Sequence, residues 1–254
     1  MSHDQPTFSF AVIADPHCAE PAHWRVDELG THVDRLQRCV DVMDARRGED
    51  RPDFAMLLGD VQWWGMPEAM RQGPIPFHMV AGNHEDMARR AELRAARPGD
   101  CQIDGEASDY YPFVHKGVRF IVVCDAGAGG DHVGHLESEA ILPHGQCEWL
   151  ERQFAAPEPC KVLFAHIPPA YDDTTSLFNL ARNDSRFLVE QIERGRPLAA
   201  FYGHQHLATT HRTIGSTACY TLGSCAWNLD QSPLSFAIVK VTAGRVDVEQ
   251  VVTG

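Results

Sequence analysis

The run Phe8-Ser9-Phe10-Ala11-Val12-Ile13-Ala14-Asp15-Pro16-His17 reads as an apolar strand, Phe8 to Ala14, that ends abruptly in a carboxylate and an imidazole. Side chains two positions apart at a strand end face the same way and can grip one cation. An Asp in that place also serves as a turn or helix cap. What favours the cation reading is that four more apolar strands end in metal-capable residues.

Those strands emerge on reading outward. After a loop from Cys18 to Val26 that carries His23 and Trp24, the spacing of Leu29, Val33, Leu36, Val40 and Met43 predicts a crossover helix from Asp27 to Arg47, stopped by Gly48. Phe54 to Leu58 is a second strand and ends in Gly59-Asp60. The loop Val61 to Gly73 holds Trp63 and Trp64, which read either as a pocket wall or as one core ring and one ring covering an edge. A third strand, Phe77 to Val80, ends in Gly82-Asn83-His84-Glu85 and precedes a helix from Asp86 to Ala96 and a polar, turn-forming stretch from Arg97 to Ser108. Tyr110 to Val114 and Val118 to Cys124 form a hairpin around Lys116-Gly117.

From Asp125 to Gly145 no period is visible, and a Gly- and His-rich segment of that length reads as a lid or specificity loop. A helix from Gln146 to Phe154 follows, then a strand from Lys161 to Ala165 ending in His166. After an irregular segment from Tyr171 to Leu180, a helix from Ser185 to Arg194, closed by Gly195, leads to a strand from Leu198 to Tyr202. That strand runs into Gly203-His204-Gln205-His206. The remainder, Ala208 to Gly254, with a hairpin of Phe236 to Val241 and Val246 to Val252, reads as sheet edge.

Length and composition bound the function. A chain of 254 residues, 44% apolar, reads as a single unit over residues 1–254 with an ample core. No apolar run reaches the roughly 18 residues of a membrane span, and Met1 to Thr7 lacks the pattern of a signal peptide, so the expected location is the cytoplasm, without membrane partners. The eight cysteines have no zinc-finger spacing and are expected as free thiols; Cys18, beside His17, is expected in the core. With 22 basic and 35 acidic residues the formal charge is −13, which repels a nucleic-acid polymer. A small phosphate ester stays compatible, because bound divalent ions invert the local potential.

In a parallel α/β sheet the carboxyl ends of the strands share one edge, so Asp15, His17, Asp60, Asn83, His84, His166, His204 and His206 should converge. Their oxygen and imidazole donors suit Mn, Fe, Zn or Co rather than a structural zinc. The series Asp-x-His, Gly-Asp, Gly-Asn-His-Glu, lone His and Gly-His-x-His resembles the calcineurin-like metallophosphoesterase superfamily, as does Gln146 with Trp149-Leu150 before the lone-histidine strand. The resemblance implies an α/β fold of the four-layer αββα sandwich type found in metallo-dependent phosphatases. It also implies two divalent or trivalent metal ions. One would be held by Asp15, His17, Asp60 and His206, the other by Asp60, Asn83, His166 and His204, with Asp60 bridging. Ions about 4 Å apart clamp a phosphoryl group and activate a bridging water. His84, not itself a ligand, would with Asn83 contact the substrate, stabilising the transferring phosphoryl group or protonating the leaving oxygen. The other histidines weighed, His23, His78, His115, His132, His135, His144 and His211, read as core or surface residues, with His23 and the loop histidines His132, His135 and His144 placed where they could reach the pocket mouth.

The departures narrow the resemblance. Protein Ser/Thr phosphatases carry Gly-Asp-x-Val-Asp-Arg-Gly where this chain has Gly59-Asp60-Val61-Gln62-Trp63-Trp64-Gly65, so their phosphate-binding Arg is missing. Compact length and His166-Ile167-Pro168-Pro169 are most similar to the bacterial class III cyclic-nucleotide and glycerophosphodiester phosphodiesterases. A small phosphodiester is therefore the expected substrate, since no Arg is visibly reserved for a dianionic phosphate unless Arg182 or Arg186 takes that role. A phosphomonoesterase or nucleotidase is the alternative. A binding scaffold would be expected to lack ligands, and every ligand position here is filled.

Overall fold

A computed structural model describes residues 7–96, 101–127, 131–171 and 178–254. Parts of the polar stretch Arg97 to Ser108, the segments 125–145 and 171–180 and the N-terminal run lie outside those residues.

Two sheets carry the fold. The first has the order β13-β12-β1-β2-β3, built from β1 (Phe8–Ile13), β2 (Pro52–Leu58), β3 (Phe77–Val80), β12 (Ser235–Thr242) and β13 (Arg245–Val252). β1, β2 and β3 run parallel, and β12 is antiparallel to β1. The second has the order β10-β11-β9-β8-β7-β6, from β6 (Tyr111–His115), β7 (Val118–Val122), β8 (Cys160–Phe164), β9 (Ala199–Tyr202), β10 (Thr210–Ile214) and β11 (Thr217–Thr221). Its central strands β7, β8, β9 and β11 are parallel. A short ribbon of β4 (Gln102–Ile103) and β5 (Glu106–Ala107) stands apart.

Successive side chains of a strand point to opposite faces, and both faces are covered here, which is why the strands read as continuous apolar runs. Phe8, Phe10, Val12, Phe54 and Met56 of the first sheet meet Phe120, Val122, Val162, Phe164 and Phe201 of the second. The alternate residues Ala11, Ile13, Ala55 and Leu57 pack on Leu36, Cys39 and Met43 of α2 (His32–Ala45) and Leu93 of α4 (Met87–Ala96). On the far side, Ile121, Leu163 and Ala200 pack on Trp149 and Leu150 of α5 (Gln146–Phe154) and on Leu188 and Ile192 of α6 (Arg182–Gly195). The result is an αββα sandwich. Among the described residues no helix is long and apolar enough to cross a membrane.

Several sequence expectations are corrected. The helix expected from Asp27 to Arg47 is two: α1 (Val26–Leu29) stops at Gly30, whose φ is +71°, and Thr31 starts α2 in a capping box with Asp34. Gly48 opens a short 3-10 turn rather than ending the helix. The loop after Asp60 contains a second such turn and α3 (Glu68–Arg71). α6 begins at Arg182 and includes Gly195; Arg196, with φ +47°, is its left-handed cap. The C-terminal hairpin is not merely edge, because β12 is buried beside β1 and only β13 lies at the rim. The other predicted strands and helices are reproduced to within two residues at each end.

The described part of the 125–145 segment is irregular and pinned. Gln146 accepts from Cys124 N and donates to the carbonyls of Cys124 and Leu136, at 2.9, 2.7 and 2.7 Å. Of the paired tryptophans, Trp63 packs against the core under α2 and α4, whereas Trp64 is exposed beneath the Arg89 guanidinium. Cys18 is buried in that same core.

Candidate metal centre

The sandwich brings the carboxyl ends of β1, β2 and β3 from one sheet and of β8 and β9 from the other to a common rim. The convergence expected along one sheet edge is therefore built across two sheets. Bonds at the strand ends hold it: His17 N donates to Asp60 O at 2.8 Å within the first sheet's edge, Gly203 N to His166 O at 2.9 Å within the second's, and His204 N to the Asp15 carboxylate at 3.0 Å joins the two.

Two buried clusters result. The ligating atoms of Asp15, His17, Asp60 and His206 lie within 4.8 Å of one another, as do those of Asp60, His166 and His204. Asp60 belongs to both. Asn83 joins the second, with Oδ1 3.0 Å from His166 Nε2. All seven side chains are buried. Five of these residues, Asp15, His17, Asp60, His204 and His206, have φ between 46° and 71°. Non-glycine residues held there cost about 1–3 kcal/mol each, a strain that concentrates at functional sites.

The glycines of the motifs have a packing reason. A β-carbon at Gly59 would stand 2.4 Å from His166 Nδ1, and one at Gly203 would stand 2.6 Å from Asp15 Oδ2. Only hydrogen fits where backbone and ligand approach so closely.

Outer partners fix which nitrogen of each ring faces inward. His166 Nδ1 donates to Leu58 O at 2.6 Å, His204 Nε2 to His132 O at 3.0 Å and His206 Nδ1 to Trp227 O at 2.8 Å. His17 Nδ1 lies 3.2 Å from Glu20 Oε1. The remaining nitrogens then turn their lone pairs toward each other: His17 Nε2 and His206 Nε2 are 3.1 Å apart, and His204 Nδ1 and His166 Nε2 are 3.2 Å apart. Facing lone pairs at that distance repel unless a proton or a cation lies between them. Outer carbonyls that set ring tautomers are a recurrent feature of metal-ligating histidines. The donor set thus fits two metal ions, whose identity the donors leave open.

The charges agree. Burial lowers His204 and His206 to about 3, leaving neutral imidazoles with free lone pairs. Burial raises Asp15 to about 7. Burial alone would raise Asp60 and lower His166, but each holds the other charged: Asp60 stays well below the ordinary carboxylate range and His166 is pushed up to about 10. The paired Asp60 and His166 show a centre that calls for positive charge.

His84 stands at the rim. Its main-chain N donates to Asp60 Oδ1 at 2.9 Å, and its ring Nε2 lies 4.0 Å from Asp60 Oδ2 with the side chain 36% exposed. Its Nδ1 is 2.8 Å from Glu20 Oε1, and this bond pushes His84 up to about 9. Arg182 and Arg186 are exposed on the outer helix α6. Of the remaining histidines, His78 stacks on Phe113, His115 pairs with Asp53, and His211 stacks on Tyr220; His132 approaches the centre, through its carbonyl and a ring 5.7 Å from that of His204.

Sequence reasoning missed four groups around these ligands. Glu20 touches both His17 and His84. Asp125, fully buried, accepts from the main-chain N of His166 and Ile167. Glu85 accepts from Gln62 N and Gly82 N at 2.6 and 2.7 Å. Trp227 stacks on His206 with ring centroids 4.0 Å apart. Glu85 belongs to a motif that is visible in the sequence; the other three had no spacing that would have singled them out.

The sequence matches the calcineurin-like phosphoesterase family over residues 8–208. A search of curated proteins gave no match. Among solved structures, a dimetal phosphatase from Danio rerio is similar, with 17% identity over 97% of this chain and 99% of that one and a TM-score of 0.63. GAP50, the anchor in the inner membrane complex of Plasmodium, is similar at 12% identity over 97% and 84%, with a TM-score of 0.62. A 5′-nucleotidase from Candida albicans is similar at 11% identity over 97% of this chain and 51% of that one, with a TM-score of 0.55. At these identities the likeness is one of fold.

Proposed function

Because the chain belongs to the calcineurin-like phosphoesterase family, we propose that it hydrolyses a small phosphodiester, with one metal ion held by Asp15, His17, Asp60 and His206 and another by Asp60, Asn83, His166 and His204. The observation that carries this reading is Asp60, whose carboxylate belongs to both buried clusters. When bound, such ions supply Lewis acidity toward phosphoryl oxygens and activate water at neutral pH. The chain's own residues do the rest. Gly59, Gly82 and Gly203 let the ligands close on one another, the carbonyls of Leu58, His132 and Trp227 orient three of the imidazoles, and His84 faces the rim where an ester oxygen would leave.

A diester is favoured over a monoester by the fate of the cations. Among the described residues, the ion-pair partners of Asp15 and Asp60 are histidines. The fully buried guanidiniums among the described residues, those of Arg35 and Arg90, are committed to main-chain carbonyls, Arg35 to those of Ala226, Trp24 and Gly30 and Arg90 to those of Glu85, Ala140 and Gly127. A singly charged diester needs less countercharge than a dianionic monoester. The −13 formal charge supports a small ester rather than a nucleic-acid polymer. The absence of zinc-finger or disulfide-framework spacing among the eight cysteines supports a cytoplasmic location.

The test is hydrolysis of matched aryl phosphate mono- and diesters by metal-stripped protein with Mn, Fe, Zn or Co restored singly. Metal-dependent turnover that prefers the diester is expected. A preference for the monoester would move the assignment to a phosphatase or nucleotidase, and inactivity with every metal would overturn it in favour of a scaffold.

A further inference from the structure

Three loops that leave β1, β2 and β3 are tied together at the rim of the centre by a hydrogen-bond network that ends on His84. Glu85 Oε1 accepts from Gln62 N at 2.6 Å. Gln62, in the left-handed region at φ +52°, accepts from Ala19 N through Oε1 at 3.0 Å and donates through Nε2 to Glu20 Oε1 at 2.5 Å. Glu20 Oε1 in turn receives His84 Nδ1 at 2.8 Å. Both ends of that last bond are partly exposed, Glu20 at 32% and His84 at 36%, so packing alone does not fix the imidazole. With Nδ1 committed to Glu20, the other nitrogen, Nε2, faces Asp60 Oδ2 at 4.0 Å. A ring whose second nitrogen is held by a carboxylate keeps one orientation, whereas an untethered ring at a half-exposed position samples several.

We propose that Glu20 is a positioning residue that holds His84 with Nε2 turned toward the substrate, and that Gln62 holds Glu20 in place. The proposal rests on the phosphoesterase reading and deepens it: it assigns the carboxylate through which His84 is aimed. Gln62, in the run that departs from the protein-phosphatase pattern, is the link between this carboxylate and Glu85. Because Glu20 also lies 3.2 Å from His17 Nδ1, the alternative is that it acts on the metal centre through His17.

A double-mutant cycle separates these. In the metal-loaded enzyme, on the aryl ester that the wild type turns over, Glu20→Ala lowers kcat by about 10- to 100-fold with KM changed less than about three-fold. Bound metal, measured by mass spectrometry, is unchanged. Glu20→Gln recovers part of the loss, since its amide oxygen still accepts from His84. In a His84→Ala background Glu20→Ala has no further effect. An undiminished effect in that background, or loss of metal from Glu20→Ala, would overturn the proposal in favour of a role through His17. A third ion per chain that is lost in Glu20→Ala would overturn it in favour of a further cation site formed by His17, Glu20 and His84.

A readout without turnover keeps the two readings apart. Long-range proton–nitrogen NMR of the histidine rings is expected to show a proton retained on His84 Nδ1 in the wild type and its loss of protection in Glu20→Ala. A wild type that hydrolyses no ester while showing this signature fails the phosphoesterase reading alone; a wild type that hydrolyses esters with His84 Nδ1 unheld fails the positioning proposal alone.

Discussion

Gly82 approaches Asp60 so closely that a β-carbon at position 82 would stand 2.2 Å from both the Asp60 main-chain nitrogen and Oδ1. Glu85 accepts from Gly82 N at 2.7 Å within the turn and from Gln62 N of the loop after Asp60 at 2.6 Å, so the turn cannot swing away from Asp60 without breaking the second bond. The carboxylate common to both clusters is thus seated on a glycine. Gly82→Ala should displace Asp60 and weaken metal binding by about 10- to 100-fold. Titration of metal into stripped protein measures this, and an unchanged affinity would show that the β3 turn relaxes without moving Asp60.

The inner core depends on a ring cluster at Phe10. Its ring is stacked on Phe54 at 5.2 Å between centroids and meets Phe120, Phe164 and Phe201 edge-on at 5.4, 5.9 and 6.2 Å. Rings from both sheets surround it, so neither sheet can close the hole that a truncation leaves. Phe10→Ala should destabilise the fold by about 3–5 kcal/mol. Denaturant unfolding checks the figure, and a loss under about 1 kcal/mol would mean that the sheets collapse together.

The site residues were readable because their carriers were: a strand buried on both faces leaves a continuous apolar run, and a ligand at its end breaks that run abruptly. What one sequence could not supply was which sheet each strand joins. β1 and β8 carry the same kind of pattern but lie in different sheets, and pairing depends on long-range packing rather than on local composition. The break at Gly30 and Thr31 was missed although Thr31 and Asp34 spell a capping box, because the apolar spacing of Leu29, Val33 and Leu36 continues across it. In the sequence β12 reads as edge, because a hairpin gives no sign of which strand inserts beside β1. Glu20, Asp125 and Trp227 act on ligands through contacts that no sequence spacing encodes.

Arg90 holds the loop after β3 and the described part of the 125–145 segment to one another. Its guanidinium is 1% exposed and donates to the carbonyls of Glu85, Ala140 and Gly127. Arg90→Met preserves the stem but leaves those buried carbonyls unpaired, at a cost of about 1–3 kcal/mol for each that water cannot reach. The variant should melt earlier and its 125–145 segment should be cut faster by protease. Unchanged proteolysis would show that the segment is fixed by its other bonds, such as those of Gln146 and Asp109.

Metal binding should be a large part of the stability of this protein, because the two pairs of facing imidazole nitrogens, at 3.1 and 3.2 Å, repel unless a proton or a cation lies between them. A ligand that binds only the folded state at 100 times its dissociation constant adds about 2.7 kcal/mol. In a domain of this size that is about 5–10 °C for one ion. Stripped protein should therefore melt that much lower than protein given one well-bound metal, with a further rise when the second site fills. Chelator should reverse both. Asp60→Asn keeps the side chain's size but removes the shared charge, so it should abolish most of both shifts rather than one. Differential scanning fluorimetry against metal concentration reads this directly; an Asp60→Asn variant that keeps either rise in full would show that the clusters bind independently and that Asp60 does not join them.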